Sequence, residues 1–119
     1  MVCSIVGPTN FTDPAYLNTT DPNIRNLMNL YGIAATTDFL EEVSPYHRVT
    51  VQSPPTTLFY GGQDLLVPTT QGTDMTTRLQ QLGVTHEFTL YENAGHGLVG
   101  LELLDTWSKL KAFIIFTLT

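Results

Sequence analysis

Asp64 and His96 are the two residues of this chain whose type and setting could do chemistry together. Each lies in a short segment that follows an apolar run. Tyr60-Gly61-Gly62-Gln63-Asp64-Leu65-Leu66-Val67-Pro68 comes directly after Thr56–Tyr60, and Tyr91-Glu92-Asn93-Ala94-Gly95-His96-Gly97 comes directly after Val84–Tyr91. If both runs are strands of one parallel sheet, their C-terminal ends open on the same crevice. The spacing then places Asp64 and His96 on adjacent loops at one sheet edge. A carboxylate beside an imidazole orients the ring, fixes its tautomer and stabilises the imidazolium. This is the work of two members of a Ser-Asp-His triad.

A third member is harder to find. The serines are Ser4, Ser44, Ser53 and Ser108, and none stands in a G-x-S-x-G segment. Ser4 falls inside a strand run, Ser53 precedes one and Ser108 falls in a helical run. Ser44, before Pro45, is the one loop candidate and lacks a glycine frame. Cys3 lies in a strand run, where cysteine behaves as a small hydrophobe rather than a nucleophile. His47 is read as packing against a helix end and His86 as an exposed, outward-facing strand residue. Without cysteine partners, the histidines lack zinc-ligand spacing, so no metal and no cofactor is expected.

The elements that must position the pair follow from the breakers. Val2–Val6 is a short apolar strand ended by Gly7-Pro8, and Thr56–Tyr60 is a second strand ended by Gly61-Gly62. Between them, residues 9–50 form a turn-rich, polar insert with two short helices. Asp21-Pro22 opens the first, with Ile24, Leu27, Met28 and Tyr31 on one face and Gly32 as its stop. Thr37 caps the second, which carries Phe39, Leu40 and Val43 and ends at Ser44-Pro45. Pro68 opens a longer helix, with Met75, Leu79 and Leu82 as its apolar stripe and Gly83 as its stop. Val84–Tyr91 is a third strand, with Val84, Phe88 and Leu90 inward against His86 and Thr89. A last helix runs from Leu101 to Phe116 with Leu103, Trp107, Leu110 and Ile114 read as its core face. Alternating β and α elements imply an α/β fold, with about three mostly parallel strands and flanking helices.

Composition excludes several classes. The chain has 119 residues, one domain's length, of which 42% are hydrophobic and 13% charged, with a formal net charge of −6. It carries no Lys/Arg cluster, so nucleic acid and anionic lipid are not expected partners. Ala112–Phe116 is too short an apolar run to span a membrane. Met1–Gly7 lacks a basic n-region, and the single cysteine suits a reducing compartment, so a cytoplasmic chain is expected. On that reading the sequons at Asn10 and Asn18 are chance matches.

The two segments together resemble the acid-bearing and histidine-bearing segments of α/β-hydrolases, in that family's chain order of acid before histidine. In style they are similar to small carboxylesterases and the prolyl-oligopeptidase-like branch. Val2–Phe11 is similar to the strand and loop that follow the serine's helix. The resemblance runs from residue 2 to about residue 114. It implies a C-terminal half-domain over 1–119, with an insert over 9–50 and the acid and histidine within 54–116. It implies ester or peptide hydrolysis, with Asp64 and His96 catalytic and the serine supplied by a missing N-terminal half. The other reading is a truncated, non-catalytic half-domain with vestigial site residues. Its unpaired edge strand at residues 2–6 would then join two copies as a dimer.

Overall fold

A computed structural model describes residues 1–30 and 36–118 of the chain, except for the side chain of Leu27. Along these the order is β1 (Val2–Ile5), α1 (Pro14–Leu17), α2 (Pro22–Leu30), α3 (Thr37–Glu42), α4 (Pro45–Arg48), β2 (Thr56–Gly61), α5 (Thr69–Gln81), β3 (His86–Tyr91) and α6 (Gly100–Leu118). The expected stop at Gly32 and the face residue Tyr31 lie outside the described residues.

The three strands form one parallel sheet in the order β1-β2-β3. Its centre is β2, whose six residues are all buried. That is the expected state of a strand with a neighbour on each edge and helices on each face. Register pairs Ser4 with Leu58 and Leu58 with Phe88, and likewise Ile5 with Phe59 and Phe59 with Thr89. Alternate residues therefore serve opposite faces. Leu58 and Tyr60 pack with Met75 and Leu79 of α5 on one face. Phe59 packs with Ala94 and Leu98 on the other, joined by Leu110 of α6. The α/β reading, with three parallel strands and flanking helices, holds.

Several boundaries and faces differ from the sequence expectation. The cap of α3 is Thr36, whose hydroxyl accepts from Phe39 N, not Thr37. Ser44-Pro45 stops α3 but also starts α4, because proline fits the first helical position. Helix α5 begins at Thr69 with Pro68 as its N-cap, and Gly83 takes the left-handed conformation (φ +70°) just beyond its end. The buried face of α6 runs through Leu103, Thr106, Leu110 and Phe113, and Trp107 is 55% exposed. Thr106 earns that place by polar bonds: its hydroxyl reaches Glu102 O and the Tyr91 hydroxyl. A purely apolar reading of the stripe selects Trp107 instead. On β3, His86 shares parity with Phe88 and is half-buried, with Nδ1 2.8 Å from Val84 O, while Leu90 is exposed. β3 is an edge strand of the described sheet, and its cover is incomplete there.

One side chain of α5 latches the start of the insert, beside the packing of Tyr46 and Val49 against the Leu58 cluster. Gln71 of α5 is buried, and its Oε1 accepts from Thr9 N (2.8 Å) and Asn10 N (2.7 Å). Its Nε2 donates to Asn10 O (3.1 Å) and Asp13 Oδ2 (2.8 Å). The chain reaches this latch through a turn in which Val6 adopts φ +53°. That conformation is strained for a β-branched residue. It is held by a bond from Val6 N to Phe59 O and by packing against the Phe59 cluster.

Candidate active site

The site is built where the loops after β2 and β3 meet. Gly62 N donates to Tyr91 O and Gln63 N to Ala94 O, each at 2.8 Å, so the two loops run backbone against backbone. The pair of glycines is required by that approach. A Cβ on Gly61 would stand 2.5 Å from Ala94 O and closer still to Gly95 O, and one on Gly62 would stand 2.5 Å from Glu92 O.

Asp64 is fixed from two sides. Its Oδ1 accepts from Leu66 N and Val67 N, both at 2.8 Å. Its Oδ2 lies 2.9 Å from His96 Nδ1. The carboxylate is fully buried, whereas the His96 side chain is 45% exposed. A carboxylate accepts only, so a neutral His96 facing ionised Asp64 carries its proton on Nδ1 and leaves Nε2 unprotonated. The arrangement can orient an imidazole and let it take and return a proton.

His96 also borders a cavity of about 460 Å³. The insert supplies most of its wall through Phe11, Tyr16, Ile24, Met28, Phe39 and Val43. This apolar wall differs from the turn-rich, polar insert that the sequence predicts over residues 9–50. Its apolar residues are scattered over four short helices and turns, with no continuous run to reveal them. Tyr16 is buried, and its hydroxyl donates to Leu66 O at 3.4 Å. Burial pushes its phenol far above the ordinary value, and the nearby Asp64, Asp13 and Tyr60 push it the same way. Tyr16 therefore stays protonated at neutral pH, and its oxygen keeps acceptor capacity beside the bond it donates.

The other candidates find structural places. Ser44 is buried, donating from Oγ to Leu40 O (2.6 Å) and accepting from Phe11 N (2.9 Å). Both bonds serve the insert, so the hydroxyl is not presented to a substrate. Cys3 is half-buried on an edge strand rather than in a strand core, and burial raises its thiol pKa. His47 is exposed, with Nε2 2.9 Å from Thr12 Oγ1 and its ring edge-on to Tyr46. Among the described residues, no group of three His, Cys, Asp or Glu could hold a metal ion. No described helix is long and apolar enough to cross a membrane.

The sequence model of the BD-FAE family matches residues 1–79, from β1 through most of α5 and including Asp64. The chain belongs to the BD-FAE family. Solved structures extend the comparison past His96. Esterase 2 of Thermogutta terrifontis, phosphorylated by paraoxon, is 27% identical over 64% of this BD-FAE chain and 32% of its own, with a TM-score of 0.61. A butyrate-bound thermophilic esterase from the same species matches 96% of this chain and 42% of its own at 22% identity and a TM-score of 0.68. A carboxylesterase of Lactobacillus plantarum matches 82% of this chain and 31% of its own at 22% identity, with a TM-score of 0.55. No curated protein matches. These likenesses establish an α/β-hydrolase fold of the esterase type, and the BD-FAE chain spans about a third to two-fifths of those structures.

Proposed function

We propose that Asp64 and His96 are the acid and the histidine of a Ser-Asp-His triad, and that this chain is the portion of an esterase-like hydrolase that supplies them. The observation that carries the reading is the 2.9 Å contact between Asp64 Oδ2 and His96 Nδ1, made by a buried carboxylate to an exposed ring. In the reaction, His96 Nε2 takes the proton of a serine hydroxyl as it attacks an ester carbonyl. It then gives that proton to the leaving alcohol. Water repeats the cycle on the acyl-enzyme. Asp64 holds the ring through Oδ2. These 119 residues contain no G-x-S-x-G, so the serine and the oxyanion donors come from outside them.

Two measurements test this. The purified chain, with His96→Ala and Asp64→Asn beside it, is assayed on a short-chain p-nitrophenyl ester. No His96-dependent rate is expected. A rate that vanishes in His96→Ala would place a nucleophile within the chain. Nitrogen NMR of His96 gives the positive readout: the Nδ1–H tautomer in the wild type, and a shift towards Nε2–H in Asp64→Asn. An Nε2–H tautomer in the wild type would refute the pairing.

A second reading has its own observation. β1 is an edge strand of the described sheet, with Val2 45% and Ile5 37% exposed, and α6 exposes Leu101, Leu104 and Trp107. Such an apolar edge favours strand pairing with another chain. Under this reading the chain is a non-catalytic half-domain that self-associates, most simply as a two-fold dimer through residues 2–6. Light scattering at micromolar concentration should then give twice the chain mass, and Ile5→Lys should return it to the monomer. A monomeric mass together with a cooperative melt would rule the dimer out.

A further inference from the structure

The peptide group between Leu66 and Val67 is bonded at both ends. Its N–H, that of Val67, donates to Asp64 Oδ1 at 2.8 Å. Its C=O, that of Leu66, accepts from the Tyr16 hydroxyl at 3.4 Å. In a trans peptide these two groups point in opposite directions from one rigid plane. Turning the plane far enough to release one bond therefore releases the other. Phenol, peptide and carboxylate form a relay in which each bond polarises the next. The other amide that serves Asp64, Leu66 N, belongs to the preceding peptide group and lies outside the relay.

Tyr16 is placed for this by the insert. It lies on α1, a helix of four residues, too short to be stable alone. Asp13 Oδ1 caps that helix by accepting from Ala15 N, and Asp13 Oδ2 accepts from Gln71 Nε2, each at 2.8 Å. The Tyr16 ring is buried beside that of Phe11, with centroids 6.1 Å apart. Among the described residues its hydroxyl has one partner, Leu66 O. Burial first, and then the nearby Asp64 and Asp13, keep the phenol proton in place for that bond. The bond is long for an O–H···O contact, so its effect must be read against the neighbouring amide of Leu66.

We propose that Tyr16 is a positioning residue for Asp64: its hydroxyl holds the Leu66–Val67 peptide plane, and that plane holds the carboxylate. This rests on the reading of Asp64 as the acid of the triad. It gives the insert a second task. The segment that walls the cavity also steadies the acid, so a change at Asp13 or Gln71 reaches His96 through Tyr16.

Tyr16→Phe keeps the ring and removes the first donor of the relay. Amide exchange is followed by NMR in the full 119-residue chain. Val67 N–H should exchange about three- to tenfold faster than in the wild type, the range that one hydrogen bond supports. Leu66 N–H should change less, and the His96 nitrogen shifts should move part of the way towards those of Asp64→Asn. Asp13→Ala, which loosens α1 with Tyr16 intact, should give the same Val67 change and serves as the second variant should the first not fold. In the unaltered chain the Tyr16 hydroxyl proton should resist exchange with solvent, and free exchange there would overturn the proposal. So would a folded Tyr16→Phe whose Val67 amide and His96 nitrogens match the wild type. Equal acceleration of Val67 and Leu66 would overturn it too, since that is general loosening rather than a relay. A changed Val67 amide with an Nε2–H tautomer in the wild type keeps the relay and sinks the triad reading. An unchanged Val67 amide with the Nδ1–H tautomer sinks the relay alone.

Discussion

Gln71→Leu should release the start of the insert. The leucine fills similar space but leaves Thr9 N and Asn10 N without the oxygen they both use. Each orphaned buried donor costs about 1–3 kcal/mol, so the loss should total about 2–6 kcal/mol where both remain buried. The chain can avoid that cost only by letting residues 9–13 move out to water, and the second contact to Asp13 is lost with them. Two results are expected: a lower denaturant midpoint, and much faster protease cleavage within 9–50 than in the segment from β2 to β3. Gln71→Glu separates the latch's two halves. It keeps the acceptor for both N–H groups but sets a second carboxylate against Asp13. Its stability should therefore recover as pH falls and one of the two carboxyls is protonated. If Gln71→Leu melts like the wild type and resists protease equally, the insert is held by its apolar contacts instead.

That latch marks the limit of what the sequence discloses. Asp64 and His96 were legible because each follows a strand that breakers delimit on both sides, and a parallel sheet brings such loops together regardless of detail. The strands themselves were legible because β2 is buried on both faces and so reads as an uninterrupted β-branched and aromatic run. Gln71 was not legible. It lies in Thr69-Thr70-Gln71-Gly72-Thr73, a polar stretch whose burial is satisfied by backbone groups some 60 residues away, and no periodicity encodes that. The cavity was hidden for the same reason, since its apolar wall is assembled from residues that belong to different short helices. Trp107 shows the reverse error. Hydrophobicity alone assigned it to the core, but Thr106 took the inward position because the Tyr91 hydroxyl and the Glu102 carbonyl satisfy it there.

Gly61→Ala should be the most damaging small change at the site. Gly61 is the last residue of β2, paired in register with Tyr91. A single methyl there meets Ala94 O at 2.5 Å, and Gly95 O nearer still, and these are backbone atoms that no rotamer change can move. Relief requires the loop after β3 to withdraw, which breaks the bonds from Gly62 N to Tyr91 O and from Gln63 N to Ala94 O. Overpacking against side chains costs about 1–3 kcal/mol, and against two fixed carbonyls the cost should reach at least about 3 kcal/mol. The same withdrawal carries His96 away from Asp64, so the Nδ1–H tautomer signal should disappear even in molecules that remain folded. Gly97 supplies the control. It flanks His96 directly, yet a Cβ there meets nothing within 4 Å, so Gly97→Ala should change stability by no more than about 0.5 kcal/mol and leave the tautomer intact. Equal effects from the two substitutions would mean that the loop needs glycine for its flexibility. Damage confined to Gly61 would mean that the pair is held at 2.9 Å by how closely the two loops approach.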